Sequence, residues 1–351
     1  MSVMKFFLIG SFAFKTMATG GQPVKSRELY WALSGKYGAE SLKYIETAKW
    51  KRHPFSTFFK TILFSIKSDV IIMLPAHNGV KVFSGILVFV KKLFRKKIYY
   101  DVIGGWLNEL LDDNPRLEKR LRRFDGVFVE TETMKAGLDK RGIPCRVIPN
   151  FKSLEPVAFD QGTDRNQPPF KLCFFSRITE MKGIEEAIEA ICFVNKIAYT
   201  YDLDIYGPVD GNYKERFFRL VEDSPSFITY KGCVPPDDSV SVLKDYFALL
   251  FPTKFYTEGV PGTIIDAYFS GIPVISSRWL NFSDVIEEGK TGLGFDFNDF
   301  EGLKKLLIKV SEQPSLILNM RANCLNEAKK YTPEHAMDLL NEEYGKEEAV
   351  V

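Results

Sequence analysis

Short apolar runs alternate with longer amphipathic stretches along the chain. In the first half, apolar runs predict strands at 5–9, 70–74, 97–102, 126–130 and 145–148. Helical spacing of apolar residues predicts helices at 24–36, 80–94, 114–123 and 132–141. Strands that alternate with helices in this way are typical of a parallel α/β fold.

The second half repeats the alternation after a polar segment. Strands are expected at 171–176, 202–206, 228–231, 248–252, 273–277 and 292–295. Helices are expected at 183–195, 212–222, 240–245, 262–269 and 301–312. Residues 156–169 are rich in Asp, Gln, Pro and Gly, which indicates a linker. We therefore expect one domain at 1–155 and a second at 170–332.

Composition places the chain among ordinary globular proteins. Its 351 residues are 45% apolar and 26% charged, enough for two domains. No apolar run reaches 18 residues, so no transmembrane helix is expected, and the run at 5–9 is interpreted as a strand rather than a signal peptide. Five cysteines are scattered without a C-x-x-C pair, which predicts reduced thiols in a cytoplasmic protein.

Charge divides unevenly between the two halves. Residues 1–169 hold 28 Lys and Arg against 16 Asp and Glu, while the remainder holds 19 against 29. A basic first half predicts an anionic partner. No nucleic-acid motif is present, so a membrane surface or a lipid pyrophosphate fits better.

The most informative motif runs from Glu258 to Asp266, between two apolar strands. Pro261 suits the first turn of a helix and Gly271 its C-terminal end. Free backbone N–H groups at the helix start form an anion site, expected from Gly259, Val260, Pro261, Gly262 and Thr263. Two carboxylates beside an anion site can accept hydrogen bonds from sugar hydroxyls, which suggests a nucleotide-sugar site. The plainer alternative is a βαβ turn with two surface acids.

This Glu-x7-Asp spacing resembles the Glu-x7-Glu signature of GT-B glycosyltransferases of family 4, with Asp266 one methylene shorter than the family's second Glu. The resemblance implies two Rossmann-like domains facing across a cleft and a last helix, here 333–351, that crosses back to the first domain. It also implies that Glu258 faces the transferred sugar, that Asp266 binds the ribose, and that the anomeric configuration is retained.

Two cations precede this motif on the loop after the first strand of the second domain. Arg177 and Lys182 resemble the Arg and Lys-Gly positions of the family, and both can converge on one diphosphate. Gly207, which ends the next strand, matches a family glycine and is mainly structural. Asp202 and Asp204 form a D-x-D pair on one strand face. Because the two cations can neutralise the diphosphate, we predict no metal and no cofactor.

In the first domain the candidates line the ends of predicted strands. Gly20 and Gly21 form a glycine turn that either points N–H groups toward a ligand or only joins strand and helix. Many family members carry a His near 101–105, but this chain has none there. His77 either replaces it or caps the following helix. Asp101, Gly104 and Gly105 are candidates for the acceptor site.

A cationic cluster ends the apolar helix predicted at 80–94, and its members are Lys91, Lys92, Arg95, Lys96 and Lys97. Such a helix either lies on an anionic bilayer or is a core helix whose cations complement its dipole. The first alternative would place the protein at the inner face of the plasma membrane.

Taken with the resemblance, the sequence predicts a hexosyltransferase. It would move a sugar from a nucleoside-diphosphate sugar to a glycan or lipid-linked acceptor in bacterial surface polysaccharide synthesis. The alternatives are a non-catalytic sugar-nucleotide-binding subunit docked on a membrane partner and a GT-B enzyme of another kind, an epimerase or a phosphorylase.

Overall fold

The computed structural model describes residues 4–18, 20–48, 50–158 and 167–344. Its contacts divide the chain into two units. The first contains residues up to Ser153, the short segment Gly259–Pro261 and the chain from Lys330 onward. The second contains Leu154–Glu258 and Gly262–Lys329. Much of the predicted linker, 159–166, lies outside the described residues.

The first unit is a parallel sheet with helices between its strands. The strands are β1 Phe6–Gly10, β2 Leu42–Glu46, β3 Val70–Met73, β4 Lys97–Asp101, β5 Gly126–Val129 and β6 Cys145–Val147. The helices are α1 Gly21–Tyr37, α2 Pro54–Ile66, α3 His77–Phe94, α4 Leu107–Asp112, α5 Pro115–Leu121 and α6 Glu132–Lys140. The strand order is β2-β1-β3-β4-β5-β6, all parallel.

The second unit repeats this plan. Its strands are β7 Phe170–Phe175, β8 Tyr201–Tyr206, β9 Ile228–Gly232, β10 Ala248–Phe251, β11 Val274–Arg278 and β12 Gly292–Asp296. Its helices are α7 Ile184–Ile197, α8 Lys214–Glu222, α9 Ser239–Leu243, α10 Gly262–Phe269, α11 Phe282–Val285, α12 Phe300–Glu312, α13 Ser315–Leu318 and α14 Arg321–Ala328. The strand order is β12-β11-β10-β7-β8-β9, again parallel.

The final helix, α15 Pro333–Tyr344, belongs to the first unit. Ala336, Met337 and Leu340 join the core cluster that lies beneath α1, and the Tyr37 hydroxyl donates to Asn341 Oδ1 at 3.0 Å. The return of the last helix to the first unit, which the family resemblance implied, is therefore confirmed through Tyr344. Residues 345–351 of that predicted helix lie outside the described part.

The sequence located the strands better than the helices. All eleven predicted strands are present, with ends shifted by about one residue. β2 and α2 were missed, as were α4, α11, α13 and α14, and the helix predicted at 114–123 is α5, which begins at Pro115. Pro115 stands in the first turn of α5, where its missing N–H costs nothing.

Both sheets have a point where the strand order reverses, between β1 and β3 in the first unit and between β7 and β10 in the second. Loops that leave two adjacent strands in opposite directions open a crevice at the carboxyl edge of such a sheet, which is where open α/β sheets bind ligands. None of the described helices has the length and apolar run that a membrane-crossing segment requires.

Candidate functional site

The predicted donor residues of the second unit gather where its strand order reverses. Arg177 and Lys182 lie on the loop after β7, and Glu258 lies on the loop after β10. Those two strands are hydrogen-bonded neighbours, with Leu172 opposite Ala248 and Cys173 opposite Leu249. The fold thus brings together motifs that stand 76 residues apart along the chain.

Lys182 and Glu258 form an ion pair between Nζ and Oε1. The two side chains are only 17% and 16% exposed. The Thr253 hydroxyl donates to the same carboxylate oxygen at 3.1 Å, and the ammonium lies 5.2 Å from the ring centroids of Phe251 and Phe255. Aromatic faces and a carboxylate both attract a cation, so these contacts hold the Lys182 ammonium in place beside Glu258.

Arg177 differs from Lys182 in its surroundings. Its side chain is exposed, and no acidic group in the described part of the chain lies within ion-pair distance. The residue after it, Ile178, is fully buried and anchors the loop, where its N–H donates to the Pro208 carbonyl at 3.0 Å. Arg177 therefore keeps all five guanidinium donors for a ligand.

The predicted helix start after Glu258 is confirmed as α10, which begins at Gly262. In its first turn the Thr263 hydroxyl donates to the Phe175 carbonyl at the end of β7, so this side chain ties the helix to the neighbouring strand. The first turn contains no acidic side chain that would oppose an anion. Gly262 and Thr263 are partly exposed at this end.

The backbone groups of the segment Gly259–Pro261 are not all unpaired, as the anion-site prediction assumed. It belongs to the first unit, where the Val260 N–H donates to Glu130 Oε2 at 2.8 Å and its carbonyl accepts from Asn150 at 3.1 Å. Pro261 has no N–H to offer. Val260 and Pro261 therefore supply no N–H group for an anion, and the prediction was wrong for these two positions because it assumed that all N–H groups of the turn were unpaired.

Asp266 lies on α10 with only 2% of its surface exposed. Its Oδ1 accepts a hydrogen bond from the Ser239 hydroxyl at 3.0 Å, and Ser239 is itself 1% exposed on α9. From the sequence, Asp266 was expected to be an accessible carboxylate beside the anion site. The structure instead gives it a buried partner that fixes the direction of the carboxylate.

Gly207 and Gly183 join the loops of the second unit by close backbone approach. Gly207 has φ +132°, and a Cβ there would lie 1.9 Å from the Ser176 carbonyl oxygen. Gly183 has φ +76°, and a Cβ there would lie 2.0 Å from the Pro252 carbonyl oxygen. Only glycine fits either position. These contacts hold the ends of β7, β8 and β10 in register around the site.

The D-x-D pair has protein partners. Asp202 Oδ1 accepts from the Tyr199 hydroxyl at 2.5 Å, and Asp204 Oδ2 accepts from the Tyr246 hydroxyl at 2.8 Å. Lys231 Nζ lies 3.4 Å from Asp204 Oδ1. As predicted, both aspartates lie on one face of β8, each half-buried between fully buried neighbours. Among the described residues no group of three His, Cys, Asp or Glu side chains is placed to hold a metal ion.

In the first unit Gly20 and Gly21 lie at the start of α1, where Gly20 is the N-cap. The helix begins three residues earlier than predicted, so the glycines form its first turn rather than a separate loop. Gln22 on that turn donates to the Leu74 carbonyl at 3.1 Å. A pocket of about 290 Å³ opens here, at the reversal between β1 and β3, and His77 is among its lining residues.

His77 does not cap α3. The N-cap is Ala76, and no side chain bonds the helix start. The imidazole instead stacks on the Trp106 ring, with centroids 4.0 Å apart at 21°. Burial lowers the pKa of His77, and Lys81 lowers it further. The capping alternative was wrong, and the histidine presents a neutral ring in the pocket.

Asp101 is paired inside the first unit, and it does not line an open acceptor site as the sequence suggested. Lys25 Nζ lies 2.9 Å from Asp101 Oδ1 and 3.1 Å from Glu130 Oε1, and it donates to the Val102 carbonyl at 3.2 Å. Lys25 is fully buried. Burial lowers the pKa of Lys25, but the two carboxylates outweigh burial and leave that pKa above its usual value. Burial raises the pKa of Asp101, while Lys25 opposes the rise.

Gly104 and Gly105 follow Asp101 at the end of β4. Gly104 has φ +84°, and a Cβ there would lie 3.3 Å from the Trp106 ring. The indole N–H of Trp106 donates to the Ile103 carbonyl at 2.8 Å. The two glycines thus make the tight turn that sets Trp106 beneath His77.

Three residues that organise these sites were not predicted from the sequence: Lys25, Ser239 and Thr253. From sequence alone, a lysine in the first turns of a helix is interpreted as a solvent-exposed cation. A serine or threonine near the end of a helix or strand is interpreted as a capping or turn residue. One usable signal was present for Lys25, because Asp101 and Glu130 both stand at the ends of strands that neighbour each other in a parallel sheet.

The chain resembles known proteins at the level of family and fold. Residues 158–331 match the family model of glycosyl transferases group 1. A putative colanic acid biosynthesis glycosyltransferase, WcaL of Salmonella typhimurium, is 28% identical over 209 residues, which are 56% of this chain and 50% of the relative. The chain spans about half the length of the curated relatives it matches.

Solved structures extend the likeness to both units. Sucrose-phosphate synthase of Thermosynechococcus elongatus superposes with a TM-score of 0.76 at 16% identity, covering 99% of this chain and 100% of the other. HepE of Anabaena, in complex with UDP, superposes with a TM-score of 0.74 at 13% identity, covering 97% and 100%. At such low identity these likenesses show the fold alone.

The two six-stranded parallel sheets, each with a strand-order reversal, match these structures throughout. The chain therefore has the GT-B fold, and its residues 158–331 match the family model of glycosyl transferases group 1.

Proposed function

We propose that this protein is a glycosyltransferase that takes its sugar from a nucleoside diphosphate sugar bound to the second unit. The observation that carries the proposal is the convergence of Arg177, Lys182 and Glu258 at the reversal between β7 and β10. Two cations and the start of α10 suit a diphosphate, and a carboxylate beside them suits sugar hydroxyls.

In this proposal the residues assist the reaction electrostatically. When the bond between the sugar and the diphosphate breaks, negative charge grows on the leaving diphosphate. Arg177 offers a planar fork and Lys182 a point charge, and the ion pair with Glu258 positions Lys182 before the reaction begins. Because Lys182 is already paired with Glu258, the incoming phosphate shares the ammonium with that carboxylate.

Glu258 then has two tasks in the proposal. It holds Lys182 in the free protein through Oε1, and its remaining acceptor capacity orients the hydroxyls of the transferred sugar. Asn281 donates to the Glu258 carbonyl at 2.5 Å, and this contact anchors the loop that carries the acid. Asp266, directed by Ser239, is assigned to the ribose hydroxyls.

The remaining parts of the proposal follow the relatives. The name of the Salmonella protein supports a role in bacterial surface polysaccharide synthesis, with a glycan or lipid-linked acceptor. The UDP in the HepE complex supports a uridine diphosphate sugar as donor. The proposal includes a hexosyl donor, retention of configuration and a cytoplasmic location, with no metal or other cofactor, since Arg177 and Lys182 supply the positive charge.

Thermal stability of the purified protein with and without nucleotides tests the donor site. UDP, GDP, ADP and CMP are added one at a time in the presence of EDTA. A ligand at about a hundred times its dissociation constant stabilises the fold by about 2.7 kcal/mol, which gives a readable shift. We expect one nucleoside diphosphate, UDP first, to raise the melting temperature.

Two variants connect the shift to the proposed residues. Arg177→Ala removes an exposed side chain and should abolish most of the shift without changing the melting temperature of the free protein. Lys171→Ala, which removes an exposed cation on β7, serves as the matched control. No shift with any nucleotide would contradict the proposal, while binding without sugar transfer to any acceptor would indicate a non-catalytic nucleotide-binding protein.

A further inference from the structure

Helix α2 in the first unit packs Ile62 and Phe64 against the core but also exposes large apolar side chains. Its outward stripe is apolar and spaced as one helical face, with Phe55 79% exposed, Phe59 67%, Leu63 48% and Ile66 40%. Its inward side carries Thr61 and Ser65, both fully buried. The Thr61 hydroxyl donates to the Thr57 carbonyl of its own helix at 2.8 Å, so it costs little to bury.

Helix α3 is apolar on two faces. Phe83, Leu87 and Val90 are buried in the core of the first unit. A second stripe points outward, with Val82 39% exposed, Phe89 52% and Leu93 55%. A helix that is apolar all round is usually enclosed by protein or lipid, and the described part of the chain leaves the second stripe of α3 uncovered.

The two helices together form an open apolar groove. It has a volume of about 500 Å³, and its walls include Trp50, Phe55, Phe59, Val82 and Ile86. No side chain on the walls is charged. Exposed apolar side chains that lie together on a protein surface can mark contact with another apolar phase or an aggregation hazard.

The part of the chain that forms the groove is strongly basic. Residues 50–100 contain ten Lys and Arg against one acidic residue, Asp69. Lys51, Arg52, Lys60 and Lys67 are exposed on or beside α2. Lys91, one of the cations for which membrane contact was one of two predicted alternatives, is paired with Asp125 at 2.7 Å. The cationic surface is therefore centred on both helices and not on the end of α3 alone.

We propose that the groove of α2 and α3, with its cationic rim, is a docking surface for an anionic lipid bilayer. The aromatic side chains Phe55 and Phe59 insert among the acyl chains, and the rim cations contact lipid phosphates. An amphipathic helix at a bilayer buries its apolar face about 5–10 Å deep while basic residues meet the headgroups.

Charge argues against a second copy of this chain as the occupant. Two such faces brought together would oppose one cationic rim to another, with one acidic residue, Asp69, against ten cations among residues 50–100 of each copy. A bilayer supplies an apolar phase that can cover the groove and a dense layer of negative charge that can pair with the cations of the rim.

Vesicle flotation tests the surface with the full chain. The protein is mixed with vesicles of phosphatidylcholine alone or of phosphatidylcholine with phosphatidylglycerol. We expect flotation with the anionic vesicles only, and its loss as NaCl rises from 50 to 500 mM, because salt screens the rim. A parent protein that floats with neither vesicle, or equally with both, overturns the proposal.

A matched pair of double variants locates the contact. Phe55→Ser with Phe59→Ser should lower the bilayer partition coefficient at least tenfold. Ile197→Ser with Phe218→Ser removes two exposed apolar side chains from the second unit, 68% and 41% exposed, and should leave it unchanged. Equal flotation of the two variants would show that the groove does not make the bilayer contact. If the parent protein is a dimer without lipid and the Phe55→Ser, Phe59→Ser variant is a monomer, the groove instead binds a second copy of this chain.

Trp50 gives a readout that does not depend on a large change to the surface. Brominated lipids in anionic vesicles should quench Trp50 fluorescence, and Trp50→Phe should remove the quenched fraction. Fluorescence that is not quenched in bound protein overturns insertion at the groove. A nucleotide-induced thermal shift that the Phe55 and Phe59 variant retains would separate failure of this proposal from failure of the proposed function.

Discussion

Lys182 and Glu258, from loops that leave two adjacent strands, form an ion pair with both side chains less than one fifth exposed. The pair joins one group assigned to the diphosphate with one assigned to the sugar. A donor must therefore enter a site in which the Lys182 ammonium already has a carboxylate partner. The free protein avoids holding an unpaired carboxylate or ammonium in a partly buried crevice, each of which would cost free energy.

Replacement of Lys182 by Met should weaken nucleoside diphosphate binding at least tenfold. A hydrogen bond to a charged group contributes about 1.5–3 kcal/mol, which is a factor of about 10 or more in affinity. Titration calorimetry measures the dissociation constant. Lys254→Met is the matched control, because Lys254 pairs with Glu186 at side-chain exposures of 20% and 19%. Equal losses in the two variants would show that the effect is general charge and not the Lys182 contact.

Asp266 should discriminate UDP from 2′-deoxy-UDP. If its carboxylate binds the ribose hydroxyls, the parent protein prefers UDP by about tenfold and Asp266→Ala loses that preference, since a carboxylate hydrogen bond is worth about 1.5–3 kcal/mol. The ratio of the two dissociation constants cancels any general loss of affinity. Ser239→Ala, which removes the partner at 3.0 Å, should reduce the ratio less. A parent protein without preference would leave Asp266 as a structural residue only.

Gly207→Ala should destabilise the second unit by about 2 kcal/mol or more. The new Cβ would meet the Ser176 carbonyl oxygen at 1.9 Å with φ at +132°, and strain and overpacking of this kind each cost about 1–3 kcal/mol. Urea denaturation monitored by circular dichroism measures the change. Gly211→Ala has no atom within 4 Å of its new Cβ and should change stability by less than about 0.5 kcal/mol. Similar midpoints for the two variants would refute the close-approach argument.

Lys25→Met should destabilise the first unit by about 3–5 kcal/mol near neutral pH, because it leaves Asp101 and Glu130 buried without their cation. Lys36→Met, an exposed lysine on the same helix, should have an effect within about 0.5 kcal/mol.

The destabilisation caused by Lys25→Met should shrink as pH falls. Burial raises the pKa of Asp101 and Lys25 opposes the rise, so removal of Lys25 raises that pKa further. A carboxyl with a higher pKa in the folded state than in the unfolded state binds its proton more tightly when folded, so acid stabilises the folded variant relative to the parent. Denaturation midpoints between about pH 8 and pH 5 test this, and a constant difference would contradict it.

Much of the fold could be predicted because its signals are local. Each buried parallel strand is a short apolar run bounded by turn residues, as 248–251 shows, and Pro333 after Thr332 signals the start of α15. α2 had a helical signal too, with apolar residues at 55, 59, 63 and 66. The spacing identifies a helix but not the face that turns inward, so the buried Thr61 and Ser65 were unexpected.

The sequence by itself determined the parallel α/β plan, the Glu-x7-Asp spacing from Glu258 to Asp266 and the basic character of the first half, since periodicity, turn residues and charge are properties of neighbouring residues. Only the tertiary structure decided which groups pair. Lys182 with Glu258, Ser239 with Asp266, and Lys25 with Asp101 are each at least 27 residues apart. Their pairing follows from strand order and loop approach, and burial then makes each pairing necessary, because a charge removed from water must find its partner within the fold.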